Sequence, residues 1–212
     1  MNSQRYIKNI YDKFAKEYHK KRLDKIRGFW NEHIENPSLL ELSKNHIKNK
    51  NILVRPFDRK CLGSNSYDVH LGEWLAVYKD EVLDAKAHNK VNYFKIPKEG
   101  HILHPTKLYL GVTLEYTETY KYVPFLEGKS SIGRLGINIH ATAGKGDVGF
   151  KNNWTLEISV KQPVKVYAGM PIGQLIYFKV EGDVLVPYNK KQSAKYNRKT
   201  NKPVESMMWK NF

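Results

Sequence analysis

A chain of 212 residues with 41% hydrophobic content can bury one proper core and is short for two full domains. Its formal net charge of +15 points to a polyanionic partner, and the charge gathers at the ends: residues 1–27 carry nine Lys/Arg against three Asp/Glu, and residues 188–212 carry seven against one. Cys61 stands alone, which excludes an intrachain disulfide and a thiolate zinc cage, and no apolar run reaches the roughly 20 residues of a membrane span.

From Gln4 to Ile34 the apolar Ile7, Ile10, Tyr11, Phe14, Tyr18, Leu23, Ile26, Phe29 and Trp30 recur every three or four residues, the stripe of an amphipathic helix. Such a helix packs on its own subunit or a neighbour, or serves as a docking or nucleic-acid-binding helix. Asn36-Pro37 then reads as a cap with proline at the first helical position, and a second helix ends near Asn49. The lysine-rich N-terminus lacks the apolar stretch of a signal peptide, so a cytoplasmic protein is expected.

From Ile52 onward, Val, Ile, Tyr and Thr are punctuated at short intervals by Gly, Pro, Asn and Asp, which predicts an all-β sandwich or barrel. Expected strands lie at Ile52–Val54, Tyr67–Leu71, Trp74–Tyr78, Val91–Ile96, Leu108–Tyr116, Lys121–Leu126, Ile137–His140, Trp154–Val160, Val164–Tyr167 and Ile172–Val180. Beyond Pro187 the chain turns polar and basic, and residues 189–203 read as a mobile tail.

The chemistry-bearing residues cluster between Phe125 and Phe178. Gly128-Lys129-Ser130 resembles the end of a phosphate-binding P-loop, but Val123 stands where that motif needs glycine. Lys129, Ser130, Ser131 and Arg134 can hold phosphate oxygens or form a capped turn. Asp147, in a glycine-rich stretch, is a candidate carboxylate or a turn residue; Phe150 and Trp154 can stack on a base or fill the core. In TLEISV, Leu156, Ile158 and Val160 share one strand face, leaving Thr155, Glu157 and Ser159 on the other, which by itself is equally a wet surface.

Taken in order, G-K-S-S-I-G-R-L-G, H-A-T-A-G-x-G-D-x-G-F, W-T-L-E-I and A-G-M-x-I-G-Q-L resemble the dCTP deaminases of the trimeric dUTPase-like superfamily. SYDVHLG upstream and PYNKKQSAKY downstream resemble that family's opening strand and tail, so the likeness spans about residues 40–206. The resemblance implies a mainly β protein, a distorted jelly-roll β-barrel over 39–188, with a helical extension over 1–38 and a basic tail over 189–212 that closes over the nucleotide. It implies homotrimers with each site at a subunit interface, and a small-molecule substrate, dCTP, in place of nucleic acid or membrane.

Residue by residue, Glu157 matches the family's general base, Ser130 the hydroxyl that helps hold the attacking water, and Arg134 the arginine that orients the site. Thr142 and Ala143 match the segment that reads the cytosine edge, Asp147 the aspartate near the 3′-hydroxyl, and Phe150 an aromatic beside the nucleoside. Lys129, Ser131, Tyr188 and Lys195 match triphosphate contacts, and Tyr196 closes over the nucleotide with Lys195. Three positions depart from the pattern: Lys129 replaces Arg, Lys199 replaces a phosphate-binding Gln, and Trp154 replaces a smaller apolar residue.

Zinc deaminases use H-x-E with P-C-x-x-C, which a single cysteine cannot supply. The implied reaction instead relies on one glutamate as proton shuttle, and its Mg²⁺ arrives on the triphosphate with no metal site on the protein. The expected reaction is hydrolytic deamination of dCTP to dUTP and ammonia. Gly144 resembles bifunctional members that continue to dUMP, whereas several that stop at dUTP carry a bulkier residue there; set against Lys199, it leaves the bifunctional reaction as the alternative. A catalytically idle nucleotide- or partner-binding protein is the third reading.

Overall fold

The computed structural model describes residues 51–212, so the helices expected before Asn49 lie outside the described residues. The described residues form ten strands: β1 Ile52–Arg55, β2 Tyr67–Tyr78, β3 Val91–Lys95, β4 His101–Leu103, β5 Tyr109–Thr119, β6 Tyr122–Gly128, β7 Ile137–Asn138, β8 Lys151–Val160, β9 Val164–Val166 and β10 Pro171–Lys179. One short helix, α1 (Ser130–Arg134), interrupts them between β6 and β7.

Two long strands organise the barrel. The main sheet runs β6-β10-β2-β5-β8-β7, and each of its two central members carries an additional partner. β2 pairs with β10 through Tyr67–His70 and with β3 through Trp74–Tyr78, while β5 pairs with β2 through its first half and β1 through its second. The β2–β5 register shifts between Leu71 and Leu75. Gly72 sits in that irregularity, where a Cβ would meet the Val112 carbonyl oxygen at 3.0 Å. The two strands expected at Tyr67–Leu71 and Trp74–Tyr78 are therefore one strand bent at its glycine. A separate two-stranded sheet pairs β4 with β9.

The core follows from alternation. On β8, Asn152, Trp154, Leu156, Ile158 and Val160 are buried, and the residues between them are half-exposed. Tyr67, Val69, Leu71 and Leu75 from β2 and Ile172 and Leu175 from β10 complete the interior, each aliphatic side chain contributing about 1.5–3 kcal/mol by leaving water. Within it the Glu115 carboxylate, 2% exposed, stands 2.6 Å from His70 Nδ1 and accepts the His70 backbone N–H at 2.8 Å, so a group costly to bury is satisfied on both oxygens. Among the described residues no helix is long and apolar enough to cross a membrane.

The C-terminal residues differ from the mobile tail expected over 189–203. Tyr188–Lys190 form a short 3-10 turn, and the following backbone is tied to side chains of β2, β8 and its own aromatics: Val204 N–H donates to Thr155 Oγ1 at 3.0 Å and Ser206 N–H to the Tyr78 hydroxyl at 3.1 Å. Composition alone misses this because the tail has few apolar side chains; it is held through its backbone.

Candidate active site

The site is built on Glu157, near the middle of β8. Its backbone N–H donates to the Ile139 carbonyl at 2.8 Å, which lays residues 139–141 alongside β8 beyond the β7 pairing of Ile137 with Val160. Ile137 and Ile139 are both buried and fix that segment. Ala141 N–H then donates to Glu157 Oε2 at 2.8 Å, while Oε1 takes part in no hydrogen bond among the described residues. One carboxylate oxygen is a positioned anchor, the other is open, and the side chain is half-buried.

The loop after Ala141 closes one wall by zipping onto β6. Leu126 N–H donates to the Gly144 carbonyl and Gly146 N–H to the Pro124 carbonyl, both at 2.8 Å. The approach leaves no room for side chains: a Cβ at Gly144 would lie 2.8 Å from the Leu126 carbonyl oxygen, and one at Gly146 would lie 2.5 Å from the Trp154 ring. Asp147 follows, half-exposed and ion-paired with Lys145 at 3.0 Å.

Aromatic rings form the inner wall. Phe150 packs against Trp154 and Tyr188 with ring centroids 4.9 and 5.9 Å apart, and Trp154 Nε1–H donates to Thr117 Oγ1 at 3.0 Å. Trp154 fills core, the second of the two uses its sequence position left open, and its ring also borders the site. Burial pushes the Tyr188 phenol above its usual range, opposed by backbone N–H groups that donate to it; Tyr196 N–H does so at 3.1 Å.

These parts enclose a cavity of about 610 Å³, a size suited to a nucleotide. It brings together Ala143, Asp147, Phe150, Trp154, Glu157, Tyr188, Lys195 and Tyr196 from the expected set. Lys195 Nζ is bonded to Asn211 Oδ1. The remaining expected residues do not line it. Ser130, Ser131 and Arg134 are exposed on α1, and Thr142 is exposed on the loop. Lys129 is ion-paired with Asp68 of β2, and Lys199 Nζ sits 4.6 Å over the Tyr116 ring. Sequence reasoning missed Asn152, Thr155 and Tyr78, which line the cavity and hold the tail, and Lys145, which pairs with Asp147. Asn152 and Asn153 read as turn residues before a strand, so nothing flagged them.

The family model for dCTP deaminase-like proteins matches residues 40–180. The chain belongs to that family. A dUMP-forming dCTP deaminase of Clostridium acetobutylicum is 51% identical over 175 residues, covering 81% of this chain and 98% of the relative. One from Leptospira biflexa is 49% identical, covering 76% and 90%. A solved 2′-deoxycytidine 5′-triphosphate deaminase from Agrobacterium tumefaciens overlaps 59% of this chain and 43% of its own, at 19% identity and a TM-score of 0.49.

These dCTP deaminase relatives overturn the expectation of a reaction that stops at dUTP, because they carry the name "dCTP deaminase, dUMP-forming". At Gly144, the residue that pointed to the bifunctional alternative, a side chain would meet the Leu126 carbonyl oxygen, so the position has no room for a bulkier residue. Lys199, weighed against that glycine, lies outside the cavity.

Proposed function

We propose that this member of the dCTP deaminase family converts dCTP, carried as its Mg²⁺ complex, to dUMP, ammonia and pyrophosphate. The observation that carries the deamination is the half-buried Glu157 carboxylate, one oxygen held by Ala141 N–H and the other open at the wall of a nucleotide-sized cavity. A base held by one oxygen keeps its second in fixed geometry toward a water, which is what general base catalysis needs. Water adds to C4 of cytosine and gives one proton to Glu157, which passes it to N3; Glu157 then takes the second proton from the new C4 hydroxyl and hands it to the amine, and ammonia leaves as the C4 carbonyl forms. Stacking against Phe150 and backbone contacts from Ala143 hold the base meanwhile.

A second water then cleaves the bond between the α-phosphorus and the bridging oxygen, releasing pyrophosphate and leaving dUMP. Support for this endpoint is the identity to dUMP-forming relatives, joined by the close-packed Gly144. Lys195 and Tyr188 supply a cation and a phenol for the triphosphate, and residues 189–212 close over it. Metal chemistry here is charge neutralisation on the phosphates. In this reading the phosphate oxygens and water hold the Mg²⁺.

The protein works as a homotrimer in this reading. Ser130, Ser131 and Arg134 face outward from α1, where a neighbouring copy can receive them as the water-holding hydroxyl, a phosphate contact and the orienting guanidinium. A reducing cytoplasm suits the single free thiol of Cys61. Incubation with dCTP and Mg²⁺ followed by nucleotide chromatography tests the reaction. Equal yields of dUMP, pyrophosphate and ammonia are expected; accumulating dUTP or unchanged dCTP would overturn it.

A further inference from the structure

Asn152 is a buried amide, 2% exposed, at the start of β8, and every hydrogen-bonding position of its side chain is filled. Nδ2 donates to the carbonyl of Arg198 at 2.9 Å and of Tyr196 at 3.3 Å. Oδ1 accepts the N–H of Thr200 at 3.1 Å and of Asn153 at 3.0 Å. Two donors and two lone pairs are all that an amide has. Three of the four go to the C-terminal tail, at residues 196, 198 and 200.

We infer that Asn152 is a positioning residue that sets the register of the C-terminal tail over the nucleotide cavity, so that Tyr196 and Lys195 face the substrate. The inference deepens the proposed function and rests on it for the identity of the nucleotide. No other side chain of similar size serves. Aspartate turns two acceptors toward two carbonyls, and serine has one donor and too short a reach. Leucine leaves the backbone groups of 196, 198 and 200 without partners in a buried place. A one-residue slip of the tail would carry the Tyr196 and Arg198 carbonyls and the Thr200 N–H off Asn152, so its three tail bonds form together only in this register. Thr155 Oγ1, accepting Val204 N–H at 3.0 Å, and the Tyr78 hydroxyl, accepting Ser206 N–H at 3.1 Å, continue the attachment farther along.

The coupling runs both ways. Lifting the tail strips Asn152 of three partners, and losing Asn152 frees the segment that carries two cavity-lining side chains. Asn152 acts on the substrate through the tail.

The test compares the wild-type full chain with Asn152→Ala and, because truncating a buried amide can impair folding, with Thr155→Val, which keeps its shape and removes one tail anchor. Amide hydrogen exchange is followed in the nucleotide-free proteins, and KM and kcat for Mg²⁺-dCTP are measured alongside. Exchange over residues 196–206 should accelerate by about tenfold or more in Asn152→Ala, with β5 and core β8 amides unchanged. KM should rise by about tenfold, with a smaller change in kcat. Thr155→Val should show the same pattern confined to residues 202–206. Unchanged tail exchange in both variants, equal acceleration of tail and core, or a loosened tail with unaltered KM would each overturn the inference. A wild-type protein that makes no dUMP defeats the proposed reaction separately, and the exchange measurement still reads the role of Asn152.

Discussion

Lys129 Nζ lies 2.5 Å from Asp68 Oδ2, so a cation expected to meet the triphosphate is already paired with a carboxylate of β2. Both side chains are about a quarter exposed, between a surface pair worth little and a buried pair costly to break. Lys129→Ala should therefore lower stability by about 1 kcal/mol and leave KM for dCTP near the wild-type value. Thermal denaturation and initial rates check the two effects; a several-fold rise in KM would make Lys129 a triphosphate contact as well as the partner of Asp68.

Glu157→Gln keeps the side chain's shape but cannot accept the water's proton. Turnover of dCTP should fall by about 10²- to 10⁴-fold, with nucleotide affinity and melting temperature nearly unchanged. Ammonia release measures the first and calorimetry the others. Near wild-type ammonia release would reassign the base.

At Gly144 an added methyl group meets the Leu126 carbonyl oxygen at 2.8 Å, and that backbone has little freedom to give way. Gly144→Ala should push the loop off β6 at a cost of about 1–3 kcal/mol. The shift falls on the side of the loop carrying Asp147 more than on Ala141, which β8 holds through Glu157. The ratio of dUTP to dUMP among the products should consequently rise. A ratio equal to wild type would uncouple this glycine from the second hydrolysis.

A pH dependence follows from Glu205, whose carboxylate fastens the end of the tail to His88 at 2.9 Å and to the Tyr93 hydroxyl at 3.2 Å. Burial alone would raise its pKa, but the bonds from His88, from its own backbone N–H and from Tyr93 outweigh burial and hold it below the usual glutamate value. A depressed folded pKa contributes stability that is present above the unfolded value of 4.5 and is lost as pH falls through the folded one. Protection of the amides around Ser206, measured against their intrinsic exchange rates, should thus fall below pH 4.5, and Glu205→Gln should show the lower protection already at neutral pH. Pulse labelling across that range measures it; a flat profile would mean that the carboxylate does not fasten the tail.

Much of the barrel was legible because alternation survives wherever one strand face is buried. β8 reads as a strand from Trp154 onward, and Glu157 falls on the polar face as the spacing requires. What stayed hidden has two causes. Short elements such as β4, three residues beside Gly100 and Pro105, carry no period to detect. Long-range polar pairs such as Asp68 with Lys129, or Asn152 with Thr200, join positions whose nearness is a product of the fold. The cavity shows the same division: the Ala143, Asp147, Phe150 and Glu157 cluster is visible in adjacent motifs, while the residues that secure its cover look like ordinary turn and strand residues.

The cover also bears on timing. If dUTP is made beneath a tail attached at Asn152, Thr155 and Tyr78, the fraction that escapes is a partition between two rates, cleavage of the anhydride and opening of the tail. Slowing the opening raises commitment to dUMP without strengthening any contact in the transition state. On the proposed reaction, the attachment points would therefore set one of the two rates that decide how much dUTP leaves before the anhydride is cleaved, a quantity that substrate affinity alone does not determine.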